Sequence, residues 1–304
     1  MILEYQSFRA GYITILGRPN VGKSTLLNRL LDFRLSIISP RPQTTRRRIM
    51  GIMNKTDLQI IFLDTPGLLD PKYKFQQVMN NVIQSSIADA DLLLYLVEAK
   101  KQTPESRMNI EEEIGLIDKN NPQKKPVILV LNKIDLLPKD NILPMIALYA
   151  ALYPFLKLIP VSALKKDGLA ELTAELQQAI PLHPPFYDPE MLTEQPEKFF
   201  VSEFIREQIF LYFREEIPYA TEVQIEEFVE REKGKDLIRA TIYVERESQK
   251  GIIIGKNGET LKNIGLRSRK VIESFLDREI YLELRVKVSK DWRKREDQIK
   301  QFGY

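Results

Sequence analysis

Two short strings carry the chemistry this chain offers. Residues 17–24 read GRPNVGKS and residues 132–135 read NKID. The first has the spacing of a loop that grips phosphate: Gly17 and Gly22 permit backbone conformations closed to other residues, so consecutive N–H groups turn inward on an anion at a helix N-terminus. Gly17, Asn20, Val21, Gly22, Lys23, Ser24 and Thr25 are the expected contacts to a nucleotide's phosphates. Lys23 would reach the β- and γ-phosphates, and the Ser24 hydroxyl would ligate Mg²⁺. Residues 58–67, LQIIFLDTPG, lie between the two strings. Asp64 ends an apolar run and would hold Mg²⁺ through water, while the Gly67 N–H would sense the γ-phosphate, since a side chain there would block close approach.

The second string names the base. A carboxylate at Asp135 accepts hydrogen bonds from guanine N1–H and from the exocyclic amine; adenine presents a lone pair instead and leaves the anion unsatisfied, a penalty that discriminates by roughly 10⁴ or more. Asn132 would tie this loop to the phosphate loop, and the aliphatic stem of Lys133 would cover the purine face. Downstream, Ser162 and Ala163 follow another apolar run, where the Ala163 N–H would donate to guanine O6. The ligand expected is therefore GTP or GDP with Mg²⁺.

These residues need a scaffold that brings distant loops to one edge. Apolar runs near 12–16, 58–63, 92–98, 127–131 and 157–161 alternate with helical patterns near 23–31, 76–87, 105–119, 141–151 and 168–180, and residues 48–54 read as an antiparallel edge strand. Such alternation predicts an α/β fold, a mainly parallel sheet with helices on both faces, whose carboxyl edge is where ligands bind. This is the arrangement of a small GTPase domain of the P-loop class, over residues 1–180.

Residues 181–197 hold five prolines and read as a stiff linker. From 198 to 304 the order is α-β-β-α-α-β, closing with a charged helix from Asp291. The two central helices meet at Gly255-Lys256-Asn257-Gly258, a GxxG loop beside a three-stranded sheet, the pattern of an α+β type II KH domain that clamps single-stranded nucleic acid. Both glycines let a sugar-phosphate backbone lie close; Lys256 and Asn257 occupy the loop, Ile252 contributes to the groove, and Arg267 and Lys270 extend the positive field.

Composition agrees. Residues 1–186 carry 23 basic and 18 acidic side chains, residues 187–245 carry 7 and 15, and residues 246–304 carry 15 and 9, so the segment with the GxxG loop is the one suited to a polyanion. The chain has no cysteine, which excludes disulfides and thiolate metal sites, and its single histidine, His183, has no partner for metal or acid–base work. No apolar run approaches the roughly 20 residues of a membrane span, and Glu4, Gln6 and Arg9 break any signal-peptide core. A cytoplasmic location is expected.

With GRPNVGKS, QTTR at 43–46, DTPG, NKID and SA followed by GKNG, the chain resembles the Era family of bacterial GTPases over nearly its whole length. The resemblance implies a GTP-hydrolysing switch that binds small-subunit rRNA near its 3′ end through the KH domain and assists maturation of the small ribosomal subunit, as a monomer; some members also associate peripherally with the inner membrane face. Lys23, Thr45 and Gly67 are the residues it implies for catalysis, with Ser24, Asp64 and Thr45 on Mg²⁺ when the γ-phosphate is present and Thr44 as the alternative to Thr45. Asn20 matches the asparagine that holds K⁺ in cation-dependent relatives. Leu68 stands where many small GTPases place a water-orienting glutamine, which implies slow intrinsic turnover. The alternative is a GTPase whose C-terminal module docks a protein or membrane partner rather than RNA.

Overall fold

The computed structural model describes residues 7–101 and 106–304; residues 1–6 and the expected helix start at 105 lie outside them. Two compact units result, one of residues 1–36, 45–69 and 79–194, the other of residues 37–44, 70–78 and 195–304. The short segments 37–44 and 70–78 thus belong with the C-terminal part of the chain, although both lie between motifs of the first unit.

In chain order, the first unit contains β1 (Arg9–Leu16), α1 (Lys23–Leu31), β2 (Ile49–Lys55) and β3 (Leu58–Asp64). Then come α2 (Lys74–Asp89), β4 (Leu92–Glu98), α3 (Ser106–Asn120), β5 (Val127–Asn132), α4 (Ile142–Leu152), β6 (Lys157–Val161) and α5 (Leu169–Ala179), with the first turns of α2 in the second unit. The six-stranded sheet runs β2-β3-β1-β4-β5-β6, parallel except for the antiparallel edge strand β2.

Because strand side chains alternate, each strand feeds two cores. Ile13 and Ile15, Ile60 and Phe62, Leu94 and Leu96, Ile128 and Val130 meet Leu26 and Leu27 of α1 and Leu172 and Leu176 of α5. On the opposite face Leu93, Tyr95, Val97, Leu129 and Leu131 meet Ile83 and Ile87 of α2, Ile110, Ile114 and Ile117 of α3, and Met145 and Tyr149 of α4. Each such side chain contributes about 1.5–3 kcal/mol on burial, so the two-faced cover explains why the strands read as unbroken apolar runs.

The proline-rich stretch runs along the β2–β3 edge. Phe186 and Tyr187 donate their backbone N–H groups to Gln59 Oε1 at 2.7 and 3.0 Å, Ile52 N–H donates to Leu192 O at 2.8 Å, and Thr193 Oγ1 donates to Met50 O at 2.6 Å. Gln59 is fully buried, and this stretch satisfies its amide.

The second unit continues with α6 (Glu197–Tyr212), α7 (Ile217–Ala220), β7 (Glu222–Val229), β8 (Asp236–Val244), α8 (Glu247–Ile254), α9 (Glu259–Leu276), β9 (Ile280–Val288) and α10 (Glu296–Gln301). Its sheet runs β7-β8-β9, with β7 antiparallel and β9 parallel to β8. Helix α9 buries Ile264, Ser268, Ile272 and Leu276, a four-residue spacing that keeps one stripe inward. Helix α6 is buried nearly all round, charged residues included. The closing helix is shorter than the charge pattern predicts: it starts at Glu296 rather than Asp291, because Asp291 is left-handed at φ 50° and Trp292 turns fully inward, its indole N–H donating to Ala220 O at 2.8 Å.

Candidate functional site

Helix α1 begins at Gly22, whose φ of 103° lies in the left-handed region; a Cβ there would overlap the Asn132 side-chain amide, so only glycine fits. No side chain caps this helix and no acidic residue occupies its first turn. The unpaired N–H groups and the helix dipole there suit an anion. Lys23 is buried, with Nζ donating to Gly17 O and Arg18 O, each at 3.1 Å. Burial pushes its ammonium down to about 8, against the opposing pull of Asp64. A polyphosphate would favour the charged form.

Oxygen atoms converge beside Lys23. The Ser24 hydroxyl donates to Asp64 Oδ2 at 2.8 Å and lies 2.9 Å from Thr45 Oγ1, which is 3.5 Å from the same carboxylate oxygen. The Thr44 hydroxyl donates to Arg41 O at 2.9 Å. Asp64 is fully buried, which raises its carboxyl pKa, with Lys23 and the surrounding hydroxyls acting the other way. Its second oxygen, Oδ1, is buried without a hydrogen-bond partner among the described residues. Two hydroxyls beside a carboxylate with one unsatisfied oxygen form an all-oxygen group, suited to a hard cation held directly by the hydroxyls and through water by the carboxylate. No cluster of three or more His, Cys, Asp or Glu residues among the described residues offers a rival metal site. The residues fit Mg²⁺.

Gly67 follows Thr65 and Pro66 at the end of β3 and is buried; the next residue, Leu68, donates its N–H to Gly17 O at 3.1 Å, pinning this turn to the phosphate loop. The Leu68 side chain packs into the core formed with α2 and α3. Asn20 and Arg18 are exposed on the loop, Asn20 at φ 65°, while Val21 is buried and Thr25 half-buried.

The base-reading string sits across the same edge. Asn132 Nδ2 donates to Val21 O at 2.8 Å and Asn132 Oδ1 accepts from Ala163 N–H at 3.0 Å, so one side chain joins three loops. The Ala163 N–H expected to meet guanine O6 is here on Asn132. Ser162 Oγ donates to Asp135 Oδ1 at 2.5 Å, orienting an otherwise exposed carboxylate. Lys133 is left-handed at φ 66° and its ammonium is 3.3 Å from Glu98, which leaves its stem along the edge.

In the second unit, Gly255 ends α8 at φ 72° and Gly258 precedes α9 at φ 79°, with Lys256 and Asn257 exposed between them. A Cβ on Gly255 would overlap the Thr260 hydroxyl, whereas one on Gly258 meets open space. Ile252 is exposed and Ile253 fully buried, so the first lines the surface and the second the core. Lys270 is exposed; the Arg267 guanidinium lies 5.7 Å from the ring centre of Tyr212. Arg269 is paired with Glu273 at 2.8 Å.

Both parts of the chain match known families. The family described as 50S ribosome-binding GTPase matches residues 12–133, and the KH domain family matches residues 216–293. GTPase Era of Geotalea uraniireducens is 48% identical over 299 residues, spanning 98% of this chain and 99% of that protein, and GTPase Era of Staphylococcus haemolyticus is 41% identical over 301 residues, spanning 97% of each. This chain belongs to the GTPase Era family. Its fold follows the family too: a crystal structure of an Aquifex aeolicus Era variant bound to GDP and AlF₄⁻ superposes with a TM-score of 0.90 at 39% identity, covering 98% of this chain and 99% of that one. A structure of Era with MgGDPNP and nucleotides 1506–1542 of 16S ribosomal RNA matches equally, at 39% identity and TM-score 0.90.

Several residues escape the motifs. Ser36 Oγ donates to Asp64 Oδ2 at 2.9 Å, yet nothing in its apolar surroundings in the sequence marks it. Within the second unit, the buried residues Glu203, Arg206 and Glu207 of α6 serve the segment 37–44: Arg206 pairs with Glu203 and donates to Thr44 O at 2.6 Å, and Glu207 Oε1 accepts the Ile38 N–H at 3.0 Å. Burial works against the Arg206 charge, but Glu203 outweighs it and the pKa is raised. Three charged residues at i, i+3 and i+4 on a helix that also buries Phe200 and Phe204 are the available signal. The segment 70–78 is held by Phe75, edge-on to Trp292 and Tyr304 at 5.0 and 4.7 Å.

Proposed function

We propose that this chain binds GTP, hydrolyses it to GDP and phosphate, and uses the resulting change to control a KH surface that holds small-subunit rRNA near its 3′ end during small-subunit maturation. The observation that carries the nucleotide half is the convergence of Ser24, Thr45 and Asp64 beside Lys23, on the same sheet edge as Asp135 and Ser162. The RNA half is supported by the relative solved with 16S rRNA, to which this chain is similar from end to end.

In this reading the α1 N-terminus and Lys23 receive the phosphates and Asp135 selects guanine. Ser24, Thr45 and Asp64 would hold Mg²⁺, which when bound neutralises charge across the β- and γ-phosphates. Thr45 and the Gly67 N–H respond to the presence of the γ-phosphate. Leu68, buried and apolar, orients no water, so turnover is slow without a partner or a monovalent ion. Asn20 serves K⁺; equal hydrolysis rates in Na⁺ and K⁺ buffers would remove that role.

Lys256 and Asn257 in the loop of Gly255 and Gly258, with Ile252, Arg267 and Lys270 on the flanking helices, receive the RNA strand. The protein acts as a cytoplasmic monomer, with any contact with the inner membrane face peripheral; no described helix is long and apolar enough to cross a membrane. The test is the affinity of the full chain for an RNA bearing the 3′ end of the small-subunit rRNA, measured with a non-hydrolysable GTP analogue and with GDP. Tighter binding with the analogue is expected; equal affinity defeats the switch, and no binding in either state defeats the RNA assignment.

A further inference from the structure

Three hydroxyls point at one carboxylate oxygen, and one of them has no duty in the chemistry above. Ser24 Oγ, Ser36 Oγ and Thr45 Oγ1 lie 2.8, 2.9 and 3.5 Å from Asp64 Oδ2, while Oδ1 of the same group is buried with no partner among the described residues. Hydrogen bonds from groups outside a metal's own ligands fix the orientation of the carboxylates that serve it. Ser24 and Thr45 are themselves assigned to the cation, and Thr45 is the residue that answers to the γ-phosphate. Ser36 is neither.

Ser36 is also the best anchored of the three. Its side chain is fully buried, and Asn28 of α1 clamps the backbone around it: the Leu35 and Ser36 N–H groups donate to Asn28 Oδ1 at 3.0 and 2.9 Å, and Asn28 Nδ2 donates to Ser36 O at 2.7 Å. Asn28 lies on the helix that opens with the phosphate loop, so the chain Asn28–Ser36–Asp64 refers the carboxylate to the same rigid element that carries Ser24.

We infer that Ser36 is a positioning residue for the Mg²⁺ site, holding the Asp64 carboxylate beside Ser24 and Thr45 whether or not the γ-phosphate is present. The inference rests on the reading that Asp64 serves Mg²⁺. Loss of an outer-shell hydrogen bond of this kind lowers metal affinity by about 10-fold or more.

The test uses the full-length chain loaded with a fluorescent GDP, following its release as Mg²⁺ is titrated. Ser36→Ala is expected to raise the Mg²⁺ concentration that half-maximally slows release by about 10-fold, with release in excess EDTA within about twofold of wild type, since without the cation Ser36 has nothing to position. Ser36→Thr, which keeps the hydroxyl, restores most of the Mg²⁺ response. Should Ser36→Ala fail to fold, Ser36→Cys keeps the volume and weakens the donor, and the same shift is read from it. An unchanged Mg²⁺ midpoint in the folded variant, with Asp64→Asn shifting it, overturns the role of Ser36 alone; an unchanged midpoint in Asp64→Asn overturns the Mg²⁺ assignment beneath it.

Discussion

Arg206 Nη2 donates to the carbonyl oxygen of Thr44 at 2.6 Å and, together with Nε, also serves the Glu203 carboxylate. The next residue along the chain is Thr45, whose hydroxyl is 2.9 Å from Ser24. A side chain of α6 therefore fixes the peptide that leads directly into a residue assigned to the γ-phosphate response. Arg206→Lys keeps a charge for Glu203 but loses the planar fork that serves both partners. The expected outcome is a several-fold narrower gap between RNA affinity with a GTP analogue and with GDP, while GDP affinity stays within about twofold, because only the segment 37–44 is loosened. Filter binding in the two nucleotide states measures it, and an unchanged gap refutes the role.

Asp135 is exposed but oriented by Ser162 Oγ at 2.5 Å. Asp135→Asn replaces an acceptor pair with one donor and one acceptor, which suits xanthine, with its carbonyl in place of the exocyclic amine. GTP affinity should fall by about 100-fold or more while xanthosine triphosphate gains. Competition against a fluorescent guanine nucleotide reports both changes.

Gly258 has room for a Cβ, whereas Gly255 does not. Gly258→Asp thus adds a negative charge at the α9 N-terminus with little steric disturbance, although its φ of 79° is one that Asp adopts at some cost. RNA affinity should drop by about 10-fold or more from charge repulsion and loss of close backbone approach, with GTP hydrolysis unchanged in the same preparation. Changing Gly255 to Asp as well should abolish binding. Retained RNA binding in the double variant would assign the surface to another partner.

Trp292 is fully buried, edge-on to Phe75 and Phe302, with its indole N–H on Ala220 O. Trp292→Ala removes that packing and leaves the Ala220 carbonyl without this donor, an expected destabilisation of about 3–5 kcal/mol. Hydrogen exchange is the suitable readout, because a two-unit chain has no single unfolding transition: protection should fall across β7, α10 and residues 70–78, while β1, β4 and β5 keep theirs.

Local chemistry was legible in the residue order. GRPNVGKS, DTPG and NKID each follow an apolar run that the structure shows as a covered strand, so a short peptide sufficed to assign strand and loop. The GxxG loop between Ile254 and Glu259 was readable because both glycines take positive φ, 72° and 79°, which other residues rarely adopt. Tertiary structure decided what motifs do not encode, namely which groups meet across long stretches of chain. Ser36 on Asp64, Thr45 rather than Thr44 beside Ser24, Arg206 on Thr44 and Trp292 on Phe75 join residues from 21 to 217 positions apart only because buried polar and aromatic groups must find partners inside the packed units. Sequence specifies such groups one at a time; the pairing is a property of the packed interior.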